Sequence, residues 1–373
     1  MAGSKFAQRV LDIDISGIRK MFEGAGPNSI NLGIGQPDFD TPQHIKQAAI
    51  NAINEGFTGY TAGPGIPELR EALSSKFKTE NNFEVSTDEI IVTSGASEAL
   101  ELAIASLVDP GDEVLIADPG FVSYNSLVHL MGGRVTPLPL SDDLTISPES
   151  VLENLSPKTK AMIINSPANP TGAVQSKADM KAFAQIADDH DITIISDEVY
   201  EHFIYEGEQV SPAQFSDNVI TVNAVSKTFS MTGWRLGYVA ARKEYTDQMI
   251  KVHQYVQACA NSIAQKAALA AVTGPMDSVF AMRDEFKARR DMLVEGLNAA
   301  GLNCASPKGA FYAFPEIPEG MTSGEVASKM ISNGVIVVPG TAFGARGEGH
   351  IRLSYASSMD DLRNALDIMK KVL

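Results

Sequence analysis

The chain has 373 residues, with 30 Lys and Arg against 46 Asp and Glu, a formal net charge of −16. At roughly 100–200 residues per domain, this length fits two lobes and buries a large core without disulfides or structural metal. The acidic balance argues against nucleic acid and anionic membranes as partners, because both need a basic footprint.

Cys259 and Cys304 make neither a disulfide framework nor a CxxC zinc spacing, which fits a reducing cytoplasmic interior. The start, MAGSKFAQR, leads into no apolar core, so no signal peptide is expected. No run approaches the ~18 apolar residues of a membrane span.

Residues 1–45 are loop-rich, with Gly33, Gly35, Pro37 and Pro42 close together. They read as an N-terminal arm and part of a smaller lobe. From 46 to 275, short apolar runs alternate with helix-period runs. Predicted strands are Glu89–Thr93, Glu113–Ala117, Ala161–Asn165, Ile192–Ser196, Val219–Asn223 and Leu236–Ala241. Most are continuously apolar, as strands covered on both faces are. Helices are predicted over Ala99–Leu107 and Lys177–Asp188; in the second, Met180, Phe183, Ala184 and Ala187 keep a helical spacing. This alternation predicts an α/β lobe with a mostly parallel sheet and helices on both faces. Residues 276–373 carry a long helical run and short strand candidates at Phe311–Phe314 and Val335–Val338, the rest of a small α+β lobe built from both termini.

Chemically useful residues fall just after the predicted strands: Ser94–Ser97, Asp118–Phe121, Asn169, Asp197 with Tyr200, and Ser226 with Lys227. In open α/β sheets ligands bind beyond the carboxyl ends of the strands. Ser94-Gly95-Ala96-Ser97 opens a helix and suits a phosphate, although alone it is more simply an ordinary Ser-rich cap. Lys227 ends a buried strand, where desolvation favours a neutral amine able to form a Schiff base; taken alone, a lysine that snorkels to solvent is the plainer account by far. Asp197 needs a partner: a metal, an arginine or a protonated ring nitrogen. Glu198, Glu201 and His202 match no metal spacing, and His202 reads as structural. Arg235 and Arg352 suit a carboxylate or a phosphate, with structural ion pairs as the plainer account of each.

Together, Lys227, Asp197 and a cup of Ser94–Ser97 with Ser226 and Arg235 meet the needs of pyridoxal phosphate: a Schiff-base lysine, an acid for the pyridinium nitrogen and a phosphate site. No metal is expected.

The ordered motifs Leu32-Gly33-Ile34-Gly35-Gln36-Pro37, Tyr60 with Gly65, Ser94–Leu100, Asn165–Gly172, Ser196–Tyr200, Ser226–Thr228 with Gly233–Gly237, and Pro339–Gly344 leading to Arg352 run over nearly the whole chain. In them the chain resembles the class I pyridoxal-phosphate-dependent aminotransferases of fold type I, and Phe121–Tyr124, Ser196–Tyr205 and Met249–Ala271 look most like archaeal members. The resemblance implies that Lys227 carries the cofactor and moves a proton, that Asp197 holds the ring nitrogen, and that Tyr200 and Asn169 contact the ring hydroxyl. It implies that Phe121 stacks on the ring, and that the Ala96 and Ser97 backbone, Ser226 and Arg235 bind the phosphate. Tyr60 would reach a partner subunit's cofactor, making a homodimer with shared sites. Arg352, with Gly35 and Asn169, would clamp the substrate α-carboxylate. The implied reaction passes an amino group from an L-amino acid to a 2-oxo acid such as 2-oxoglutarate by a ping-pong route.

Ser97 departs from the lysine that one bacterial aspartate-specific subgroup has there, so aromatic or broad donors are expected first, and aspartate second. The furan aldehyde of methanofuran biosynthesis and a C–S β-lyase activity remain as alternatives. A nicotinamide-dependent dehydrogenase would need a GxGxxG turn, which is missing.

Overall fold

The computed structural model describes residues 5–13, 26 and 29–373. The remainder of the predicted N-terminal arm lies outside the described residues.

A seven-stranded sheet organises the middle of the chain. Its strands are β2 (Ile90–Thr93), β3 (Glu113–Asp118), β4 (Arg134–Pro139), β5 (Thr159–Asn165), β6 (Thr193–Asp197), β7 (Val219–Ala224) and β8 (Gly237–Ala241), in the order β2-β8-β7-β6-β5-β3-β4. All six predicted strands are present, with ends shifted by up to two residues. Strands β2, β6, β7 and β8 are buried along their whole length, as their apolar sequences require. Strand β4 is not among the predicted strands: it is an edge strand (RVTPLP) whose two prolines and exposed residues mask it.

Only β8 runs antiparallel, against both β2 and β7. Gly237, its first residue, pairs with Thr93 and with Ala224, the last residues of β2 and β7. The reversal brings the segment before β8, including Arg235, to the edge where β2 and β7 release Ser94 and Ser226. Gly237 is required there, because a Cβ would lie 2.5 Å from the Gly95 carbonyl carbon and 2.6 Å from the Ala96 nitrogen.

Two small sheets involve the chain ends. Strand β1 (Ile30–Asn31) pairs in parallel with β10 (Val335–Ile336), and β11 (Val338–Pro339), β12 (Ile351–Ser354) and β9 (Tyr312–Ala313) form an antiparallel set. Leu32 shares one buried cluster with Phe286, Leu293 and Leu297 of the helix Asp277–Ala299 and with Leu362, Leu366 and Met369 of the helix Met359–Val372. Each such side chain stabilises the fold by about 1.5–3 kcal/mol on burial. No helix among the described residues is long and apolar enough to cross a membrane.

Candidate active site

The strand exits converge on a cavity of about 350 Å3. Every predicted site residue except Tyr60 lines it: Gly35, Ala96, Ser97, Phe121, Asn169, Asp197, Tyr200, Ser226, Lys227, Arg235 and Arg352. Tyr60 stands apart, 92% exposed on its own chain.

Lys227 sits in a single helical turn, Val225–Thr228, directly after β7. Its Nζ donates to the Gly35 carbonyl at 2.6 Å. Burial, then the Arg235 and Arg352 charges, push its pKa down to about 8, with Asp197 opposing. Asp197 ends β6 and is buried. Tyr124 donates to its Oδ2 at 2.7 Å and the Val199 N–H to its Oδ1 at 3.4 Å. Burial lifts its pKa to about 6 in spite of those donors.

The cup is the N-terminus of the helix Ala96–Leu107, where Gly95 provides no side-chain cap to the leading N–H groups. Arg235 is left-handed at φ 51° and donates to the Thr232 carbonyl at 3.1 Å. Its guanidinium lies over Gly95, where a Cβ would sit 2.5 Å from Nη2.

Arg352 is buried on β12. It donates to Asn169 Oδ1 at 3.0 Å and to the Gly33 carbonyl, while Nε has no partner among the described residues. The rings of Tyr312 and Phe343 lie 4.6 and 4.8 Å from its guanidinium carbon.

Three members of this site escaped the sequence reading. Tyr124 holds Asp197. Tyr312 shares a 2.7 Å hydrogen bond with the Tyr200 hydroxyl. Asn165 donates to the Asp197 carbonyl at 2.9 Å and accepts from the Asn169 N–H at 2.8 Å, bracing two strand exits. Tyr312 sits in an apolar run, and Tyr124 stands four residues before Val128 on one helix face, so both read as core; Asn165 ends a predicted strand and its bracing role needs the neighbouring strand.

The residues fit pyridoxal phosphate. An uncapped helix N-terminus with an arginine suits the phosphate, the buried carboxylate suits a protonated ring nitrogen, and Lys227 would supply the amine. No cluster of metal-binding side chains occurs among the described residues.

A mostly parallel sheet delivering these groups to one edge is the fold-type-I transferase architecture. The chain belongs to the family aminotransferase class I and II, which matches residues 27–369, and it is an aminotransferase. It is 48% identical to a probable aspartate aminotransferase of Methanocaldococcus jannaschii, over 98% of this chain and 99% of the relative. It is 41% identical to aromatic-amino-acid aminotransferase 2 of Thermococcus litoralis, over 98% of each. Among solved structures, aspartate aminotransferase from Thermus thermophilus with maleate aligns over 100% of both chains at 40% identity and a TM-score of 0.95.

Proposed function

We propose that this aminotransferase binds pyridoxal phosphate on Lys227 and transfers an amino group from an aromatic or broad range of L-amino acids to a 2-oxo acid such as 2-oxoglutarate, by a ping-pong route. The observation that carries the reading is one cavity shared by Lys227, Asp197 and Arg352.

When bound, the cofactor supplies an electrophilic carbon and a ring that withdraws electrons. The chain's own groups do the rest. With a pKa near 8, Nζ of Lys227 takes and returns a proton close to neutral pH, as a general base at the substrate α-carbon requires. Asp197 would accept from a protonated ring nitrogen. Tyr200 and Asn169 would hydrogen-bond the ring hydroxyl, Phe121 would stack on the ring, and Ala96, Ser97, Ser226 and Arg235 would hold the phosphate. Arg352 takes the α-carboxylate beside Gly35 and Asn169. Exposed Tyr60 belongs to the partner's site in a homodimer, and the chain divides into 1–45, 46–275 and 276–373.

Ile34 and Leu100 in the wall, with an uncharged Ser97 beside them, support apolar or aromatic side chains over a strictly acidic one. The test is a panel of amino donors with 2-oxoglutarate. Tyrosine or phenylalanine should be consumed at least as well as aspartate. Exclusive use of aspartate would reverse the substrate reading. Pyruvate and ammonia released without an acceptor would replace transamination with β-lyase chemistry.

A further inference from the structure

We propose that His253 is a positioning residue for the phosphate cup: it holds a proton against Glu98, so that the pair presents no net charge to the phosphate, and it ties the Tyr60 loop to the cup. This rests on the reading that residues 94–97 and Arg235 hold the phosphate.

His253 lies on the helix Lys243–Val256 and is completely buried, and Glu98 is buried against it. His253 Nδ1 is 2.7 Å from Glu98 Oε1, and Nε2 is 2.9 Å from the Gly63 carbonyl oxygen. A carbonyl only accepts, so Nε2 bears a proton. The other Glu98 oxygen, Oε2, already accepts from the Ser94 N–H. A proton must therefore lie between Nδ1 and Oε1; otherwise two buried lone pairs would face each other unsatisfied. Imidazolium with carboxylate, or imidazole with carboxylic acid, both give a pair of zero net charge.

Glu98 is the third residue of the cup helix. An unneutralised carboxylate there would occupy the favourable N-terminal field and repel a phosphate. Paired with His253, it keeps its hold on Ser94 and leaves Arg235 and the Ala96 and Ser97 N–H groups to the anion. Gly63 follows Tyr60 by three residues, so the same pair fixes the loop assigned to the partner's site.

The test measures, on the full chain freed of cofactor, affinity for pyridoxal phosphate and for pyridoxal, which lacks the phosphate. His253→Gln should weaken pyridoxal phosphate by at least about tenfold and pyridoxal by less than about threefold, because a buried charge loses its partner. Adding Glu98→Gln should restore pyridoxal phosphate affinity to within about threefold of wild type, since the opposing charge is gone. Equal losses for both ligands in His253→Gln, or no recovery in the double variant, overturn the inference and leave the cup assignment standing. Should His253→Gln not fold, Glu98→Gln alone decides: an unchanged ratio of the two affinities is expected, and tightening of pyridoxal phosphate by about tenfold or more would mean that Glu98 opposed the phosphate uncompensated. A wild type that binds pyridoxal phosphate no better than pyridoxal overturns the cup reading itself.

Discussion

Tyr124 donates its hydroxyl proton to Oδ2 of Asp197 across 2.7 Å, joining the helix Val122–Leu130 to the end of β6. The phenol works against burial, which holds the Asp197 pKa at about 6, above its ordinary 3.8. A carboxyl whose folded pKa is raised binds more protons folded than unfolded, so its contribution to stability falls as pH rises from about 4 to 6 and stays low above that. Asp197→Asn, without cofactor, should therefore be more stable than wild type at pH 7 by roughly 1–3 kcal/mol and nearly equal to it at pH 4. Urea midpoints at the two values check this; an equal gain at both would contradict it.

Lys227 is the opposite case. Burial and two arginines bring its pKa down from 10.5 to about 8. The folded state then binds fewer protons than the unfolded state between these values, so the lysine's cost to stability is present below pH 8 and is relieved as pH rises toward 10.5. The free base is the nucleophile. Reaction of the cofactor-free chain with pyridoxal, trapped by borohydride, should rise with a midpoint near pH 8. Lys227→Ala should trap none, and Arg352→Gln should move the midpoint upward by removing one cation. A midpoint near 10 in wild type would mean that the amine is solvated.

The sheet was legible because its strands must be apolar on both faces, and the residues released at their ends are the ones that line the cavity. The antiparallel course of β8 was not, since direction leaves no mark in a sequence such as GYVAA; yet it is what brings Arg235 to the cup. Tyr124 and Tyr312 carry their polar atoms at the end of an apolar body, so periodicity reads them as core. Glu98 and His253 are separated by 155 positions and only the tertiary fold pairs them. Edge strand β4, with Pro137 and Pro139, lacks the uninterrupted apolar signal that revealed its neighbours.

Gly95 occupies φ +83°, and a Cβ there would press on the Arg235 guanidinium. Gly95→Ala adds about 1–3 kcal/mol of backbone strain and displaces the cation. Pyridoxal phosphate affinity should fall by about tenfold or more, with pyridoxal little changed. Equilibrium titration with each ligand checks this, and a loss common to both would place the damage outside the cup.

The Arg352 guanidinium lies 4.6 and 4.8 Å from the rings of Tyr312 and Phe343, with Nη1 on Asn169, Nη2 on the Gly33 carbonyl and Nε without a partner among the described residues. A planar fork in this setting has donors to spare for a carboxylate, and lysine cannot reproduce its reach or its two parallel N–H groups. Arg352→Lys should lower kcat/KM for tyrosine by roughly 10²–10³-fold. Part of any loss would come from leaving Asn169 and Gly33 short of a donor, so a second substrate separates recognition from disruption. Tyramine has the same amine and ring but no α-carboxylate, and its single-turnover rate should change by less than about threefold between wild type and variant. The comparison is read from the change in cofactor absorbance as each amine is added. An equal loss for tyrosine and tyramine would show that Arg352 supports the cavity and does not bind the carboxylate. A loss confined to tyrosine would tie β12, built near the end of the chain, directly to recognition of the amino acid.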